Sequence, residues 1–175
     1  DCKLSVMDKW LLSRMNSMVK AVDENLFNYR IPEAARALES FVDQLSNWYV
    51  RRGRERYWVQ GMPEDKIAAY MTLYTALVTT AKAAAPMIPF MAENIYLNLV
   101  KNLDKNAPES IHLCDFPDVN EAAIDEALER DMQSVLDIVV LGRAARNGAN
   151  LKNRQPLGVM YVKCDKELGD ETRTI

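Results

Sequence analysis

Residues 8–27 read DKWLLSRMNSMVKAVDENLF, and this stretch decides the fold class. Leu11, Met15, Met18, Val19, Val22 and Leu26 recur at helical spacing, with Lys9, Arg14, Lys20 and Asp23 between them. That period makes one apolar stripe on a helix rather than the alternation of a strand. Downstream, Ile31-Pro32-Glu33 reads as a second helix start. Proline in a first turn sacrifices no intrahelical bond, and glutamate complements the positive end of the helix dipole. The stripe Ala34, Leu38, Phe41, Val42, Leu45, Trp48 and Tyr49 carries this helix to about Arg52, and Gly53 ends or loosens it.

Gln60-Gly61-Met62-Pro63-Glu64 punctuates the chain before a third helix, whose expected inner face is Ile67, Met71, Tyr74, Leu77, Val78 and Ala81. Pro86 and Pro89 break or kink it ahead of a fourth helix through Phe90, Ile95, Tyr96, Leu99 and Val100. Residues 102–120 read as loop around a short extended Ile111-His112-Leu113. A fifth, long helix is expected from about Asn120, which supplies a side-chain cap, to about Ala149. The period then changes: Leu157-Gly158-Val159-Met160-Tyr161-Val162 suits a strand, and a lone strand is not stable. The expectation is therefore a mainly α fold, an antiparallel helical bundle of about five helices with a short C-terminal strand. Residues 1–155 form the helical domain and 156–175 begin a following unit that is cut short.

The chain has 175 residues with 6 glycines and 7 prolines, too few turn formers for a β-sandwich. Cys2, Cys114 and Cys164 are far apart and odd in number, which supports neither a disulfide framework nor a zinc knuckle. No apolar run reaches the ~18 residues of a membrane span, and no signal peptide is recognisable. These features point to a cytoplasmic setting, and the start at Asp1 points to an excised fragment.

Catalytic chemistry finds little support. The one histidine, His112, leaves most catalytic constellations incomplete, and Glu109-Ser110-Ile111-His112 lacks the second motif that a di-iron bundle needs. His112 reads better as a partly buried loop residue, and with Cys114 it does not complete a metal site. Phosphate-binding glycine loops are missing, so no catalytic residue, cofactor or metal is assigned. Ten acids between Asp104 and Asp137 face only Lys105 and Arg130, a net −8 that reads as a solvated face.

The basic residues are more informative. Residues 46–58 hold four arginines and four aromatic residues within thirteen positions. Arginine forks bind phosphates, and guanidinium planes and rings stack on unpaired bases, so the mixture suits single-stranded RNA. Trp48 lies on the apolar stripe and reads first as core, as Tyr49 partly does. Arg51, Arg52, Arg54, Arg56, Tyr57 and Trp58 are the contact candidates. A second zone, residues 138–163, carries Arg143, Arg146, Lys152, Arg154 and Lys163 with no acid. The helix dipole accounts for Arg143 and Arg146 at a C-terminus but not for Lys152 and Arg154 beyond it, and all four join the candidates. The net charge of −3, which on its face argues against nucleic acid, is thus a sum of unlike parts.

These segments together resemble the isoleucyl-tRNA synthetases, specifically their C-terminal anticodon-binding helical domain. The resemblance rests on Asp8-Lys9-Trp10-Leu11-Leu12-Ser13-Arg14, on residues 46–58, on residues 85–96 with their two prolines, on Glu109 to Pro117 and on Arg143 to Leu157. Residues 85–96 are shared with valyl and leucyl relatives, whereas the arginine-rich segment favours the isoleucine enzymes. The family's class I signatures, a His-x-Gly-His element and a Lys-Met-Ser-Lys-Ser loop, are absent from these residues.

The resemblance implies a parent enzyme that joins isoleucine to its tRNA with ATP and magnesium. This portion would dock the anticodon stem-loop of isoleucine tRNA beside the catalytic domain of the same chain, as a monomer and without activating an amino acid. Two other readings remain open: a valyl-type anticodon domain and a helical protein-docking module.

Overall fold

A computed structural model describes residues 2–152, 154–163, 169 and 172. Six α-helices lie among them: α1 (Val6–Phe27), α2 (Ile31–Gln44), α3 (Arg54–Trp58), α4 (Glu64–Ala84), α5 (Pro89–Tyr96) and α6 (Glu126–Gly148). Two of them run on into wider π turns, α2 through Leu45–Val50 and α5 through Leu97–Lys101. The chain divides into two compact units, residues 1–124 and 125–175.

In the first unit α1 packs against both α2 and α4. Trp10, Leu11, Val19 and Val22 are buried on α1, and Ala34, Leu38, Phe41 and Leu45 supply the facing stripe of α2 and its π turn. Ser5 starts α1 with a reciprocal cap: its hydroxyl accepts from the Asp8 N–H, and the Asp8 carboxylate accepts from the Ser5 N–H at 2.9 Å. At the other end Tyr29 adopts a left-handed backbone (φ 57°) that turns the chain into α2. The Arg30 N–H donates to the Asn25 carbonyl across this turn at 2.8 Å.

The buried face of α4 differs from expectation. Ala68, Ala69, Thr72 and Ala76 point inward, whereas Met71 is exposed. Small side chains let α4 approach α1 closely, and this close approach outweighs the larger residues' hydrophobicity. On α5, Ala92 and Tyr96 are buried beside Ala81, Ala85 and Ile111, while Phe90 is 91% exposed. Glu93 accepts from the Ser110 hydroxyl and the Ile111 N–H, both at 2.9 Å, and Tyr96 donates to the Pro108 carbonyl at 3.0 Å. These bonds fasten the 104–117 loop to α5. They also place Ile111 inside a short 3₁₀ turn and leave His112 exposed rather than partly buried.

Asn120 does cap a helix, but a 3₁₀ turn, Glu121–Ala123, rather than the long one. Its N–H donates to the Asn16 side chain of α1 at 2.9 Å, which ties that turn into the first unit. The second unit consists of α6, capped by the Asp125 side chain on the Leu128 N–H, and the chain that follows. The strand expected at 157–162 does not form among the described residues, where that segment lies exposed without a pairing partner. A strand needs a neighbour for its ladder, and none is there. Cys164 and much of the tail after it fall outside the described residues.

Candidate nucleic-acid interface

The arginine-rich segment begins where α2 widens into its π turn. A π turn carries an extra residue, which rotates whatever follows relative to the α-helical pattern. Tyr49 falls inward, and the Gly53 N–H donates to its carbonyl at 2.8 Å. A side chain at position 53 would put its Cβ 2.8 Å from that same oxygen, which explains the glycine there. The chain then turns into α3, five residues long, with no side-chain cap and no buried residue.

Asp8 anchors this region. Its carboxylate is fully buried and accepts from the Tyr49 hydroxyl at 2.5 Å and the Ser5 hydroxyl at 2.7 Å. The Arg56 guanidinium donates to its two oxygens at 2.9 and 2.8 Å. From its other edge Arg56 donates to the two Asp65 carboxylate oxygens at 2.9 and 2.8 Å, and to the Asp65 carbonyl at 3.2 Å. One arginine thus joins the first turn of α1, α3 and the first turn of α4. Burial pushes the Asp8 carboxyl up, but the Arg56, Tyr49 and Ser5 donors outweigh burial and hold it below the usual carboxylate range. Burial and the adjacent Asp8 charge raise Tyr49, so it stays a neutral donor.

Of the six candidates here, the structure turns two inward. Arg56 is spent on Asp8 and Asp65, and Tyr57 packs edge-on against Tyr70 of α4 with ring centroids 5.2 Å apart. The Tyr57 hydroxyl is buried with it; a helix as short as α3 needs such inward anchors to hold its place. Arg51, Arg52 and Arg54 are exposed, and Trp58 is 74% exposed. The Arg54 guanidinium lies 5.3 Å over the centre of the Trp58 ring, a stacked cation–π pair at the surface. Trp48 is half-buried, consistent with its place on the α2 stripe.

In the second unit Arg143 is exposed near the end of α6, and Lys152 and Arg154 are exposed beyond it. Arg146 instead folds back: its guanidinium donates to the Lys152 carbonyl at 3.0 Å and the Gln155 carbonyl at 2.8 Å. The loop after α6 is therefore wrapped around one arginine while its neighbours project. Nothing in the sequence distinguished Asp8 and Asp65 as partners of the basic segment. The usable signal was the Ser5-x-x-Asp8 cap spacing, which marks Asp8 as a helix-start residue.

Among the described residues no three histidine, cysteine, aspartate or glutamate side chains gather as a metal site. No helix there is long and apolar enough to cross a membrane. A helical domain presenting arginines and one exposed tryptophan ring has the features of an RNA-recognition module. The family model for the anticodon-binding domain of tRNA ligases matches residues 8–161, and the chain belongs to that family.

Its relatives include isoleucine–tRNA ligases. That of Clostridium novyi is 58% identical over 158 residues, covering 90% of this chain and 15% of the relative. That of Clostridium tetani is 56% identical over the same shares. The Dehalococcoides mccartyi (strain CBDB1) protein is 48% identical over 89% of this chain. The chain spans about 15% of the length of the curated relatives it matches.

Proposed function

We propose that this domain recognises the anticodon stem-loop of isoleucine tRNA. It serves a ligase that attaches isoleucine to that tRNA in the cytoplasm, as a monomer, with ATP and magnesium used by a catalytic domain elsewhere in the same chain. The observation that carries the reading is the outward display of Arg51, Arg52, Arg54 and Trp58 from one turn and one short helix. Family membership over residues 8–161 and the isoleucine-specific relatives supply the choice of RNA. Arg143, Lys152 and Arg154 form a second set of phosphate contacts at the end of α6. In this reading the arginines neutralise backbone phosphates, and Trp58 stacks on an unpaired base.

The test is titration of an isoleucine anticodon stem-loop against the chain and its Arg52→Ala/Arg54→Ala double variant. Weaker binding by the variant is expected, and unchanged affinity overturns the assignment. With about four phosphates neutralised, log K falls with log salt at a slope near −3, at ~0.7 per phosphate for single strands. A valine anticodon stem-loop should compete poorly; equal competition would favour a valyl-type role.

A further inference from the structure

We propose that Arg56 is a positioning residue for RNA recognition rather than an RNA contact: clamped between Asp8 and Asp65, it fixes the turn and short helix that display Arg51, Arg52, Arg54 and Trp58. This rests on the RNA-binding reading above and divides its arginines into two kinds.

The first argument is donor and charge accounting. Arginine has five N–H donors. Here Nε, one Nη1 N–H and both Nη2 N–H groups are engaged, four of the five: each of the three nitrogens donates to a carboxylate oxygen, and the Nη2 pair is shared among Asp8, the Asp65 carboxylate and the Asp65 carbonyl. One positive charge therefore sits against two negative ones, and an approaching phosphate meets a net negative cluster. Phosphate capture would require breaking a paired fork to a fully buried carboxylate, leaving Asp8 an uncompensated charge.

The second argument is that the displayed segment cannot hold itself. Helices shorter than ~12 residues are marginal in water, and α3 has five residues, no cap and no buried side chain. Its attachment comes from Arg56, from the Tyr57 ring against Tyr70 and, just past its end, from Lys66 of α4, which donates to the Val59 carbonyl at 2.7 Å. Of these, only Arg56 reaches both α1 and α4 by hydrogen bonds. Pre-ordering this segment spares the ordering cost when RNA binds, so losing the clamp weakens binding without removing a phosphate contact.

The experiment compares Arg56→Lys, Asp65→Ala and Arg54→Ala with the wild-type chain in two measurements. The first is binding of an isoleucine anticodon stem-loop across a salt series; the second is amide exchange over residues 51–58. Arg56→Lys should bind several-fold more weakly with an unchanged salt slope, whereas Arg54→Ala should flatten the slope by ~0.7. Asp65→Ala removes a half-exposed partner, so it should weaken binding at ~0.2 M salt, where long-range charge effects are screened, with the melting temperature little changed.

If Arg56 were instead a phosphate ligand restrained by Asp65, Asp65→Ala would tighten binding and Arg56→Lys would alter the slope; either result overturns the proposal. Exchange at residues 51–58 should accelerate in Arg56→Lys and Asp65→Ala but not in Arg54→Ala. Unchanged exchange in the first two overturns the clamp whether or not RNA binds. Failure of the wild-type chain to bind, with the exchange result intact, counts against the RNA reading and leaves the clamp standing.

Discussion

Arg56 and Arg146 lie in the two basic stretches of the chain, and the fold holds the two side chains with different acceptors. Arg56 reaches carboxylates 48 residues back and nine residues on, and so ties three helices together. Arg146 reaches carbonyls six and nine residues on, and so shapes one loop. Carboxylates cancel the charge they bind, whereas carbonyls carry no formal charge. An inward arginine can therefore be a long-range tie between helices or a local staple of one loop.

The comparison is broken most severely at Asp8. Asp8→Ala leaves Tyr49 and half of the Arg56 fork without their buried partner and should cost about 3 kcal/mol in urea unfolding, the scale of a broken buried pair. The same carboxylate sets an acid limit. Its folded pKa lies below the unfolded value of ~3.9, so its contribution is complete above that value and disappears as pH falls through the folded one. In Asp8→Asn the stability loss below pH ~4 should be shallower than in wild type. Gly53→Ala comes next: its Cβ would press on the Tyr49 carbonyl from 2.8 Å. A cost of about 2 kcal/mol is expected, as for an overpacked site. Arg146→Ala should lose about 1 kcal/mol or less, with faster exchange confined to residues 151–155.

These magnitudes follow how legible each feature was in sequence. The α1 stripe from Leu11 to Val22 stands in the pattern because side-chain period and burial agree there. On α4 they part, since Ala68, Ala69, Thr72 and Ala76 take the buried face by being small, and hydropathy ranks Met71 above them. The π turn at Leu45–Val50 hid the direction of everything after it, because one extra residue shifts the face without leaving a composition signal. Within the basic segment, residue type gave the chemistry of the surface but not the orientation of each arginine. That depended on Asp8 and Asp65, which meet Arg56 only once α1 and α4 are packed. The strand expected at 157–162 failed for a related reason: β-branched composition describes a preference, and pairing needs a partner that the pattern cannot supply.

The smallest expected effect concerns the Arg54 and Trp58 pair, and its smallness matters for the reading. The guanidinium lies 5.3 Å from the ring centre on an open surface, where such contacts contribute about 0.5–1 kcal/mol. A double-mutant cycle of Arg54→Ala and Trp58→Ala in unfolding should therefore give a coupling of about 0.5 kcal/mol. Stacking an unpaired base on a ring contributes ~1–3 kcal/mol, so under the proposed function RNA would displace or extend the pair at little cost. The Arg56 fork, bonded to two carboxylates, offers no such exchange. If the measured coupling instead matched the Asp8→Ala loss, Arg54 would belong with Arg56 among the ties of the fold. The set of exposed residues proposed as RNA contacts in the first unit would then shrink to Arg51, Arg52 and Trp58.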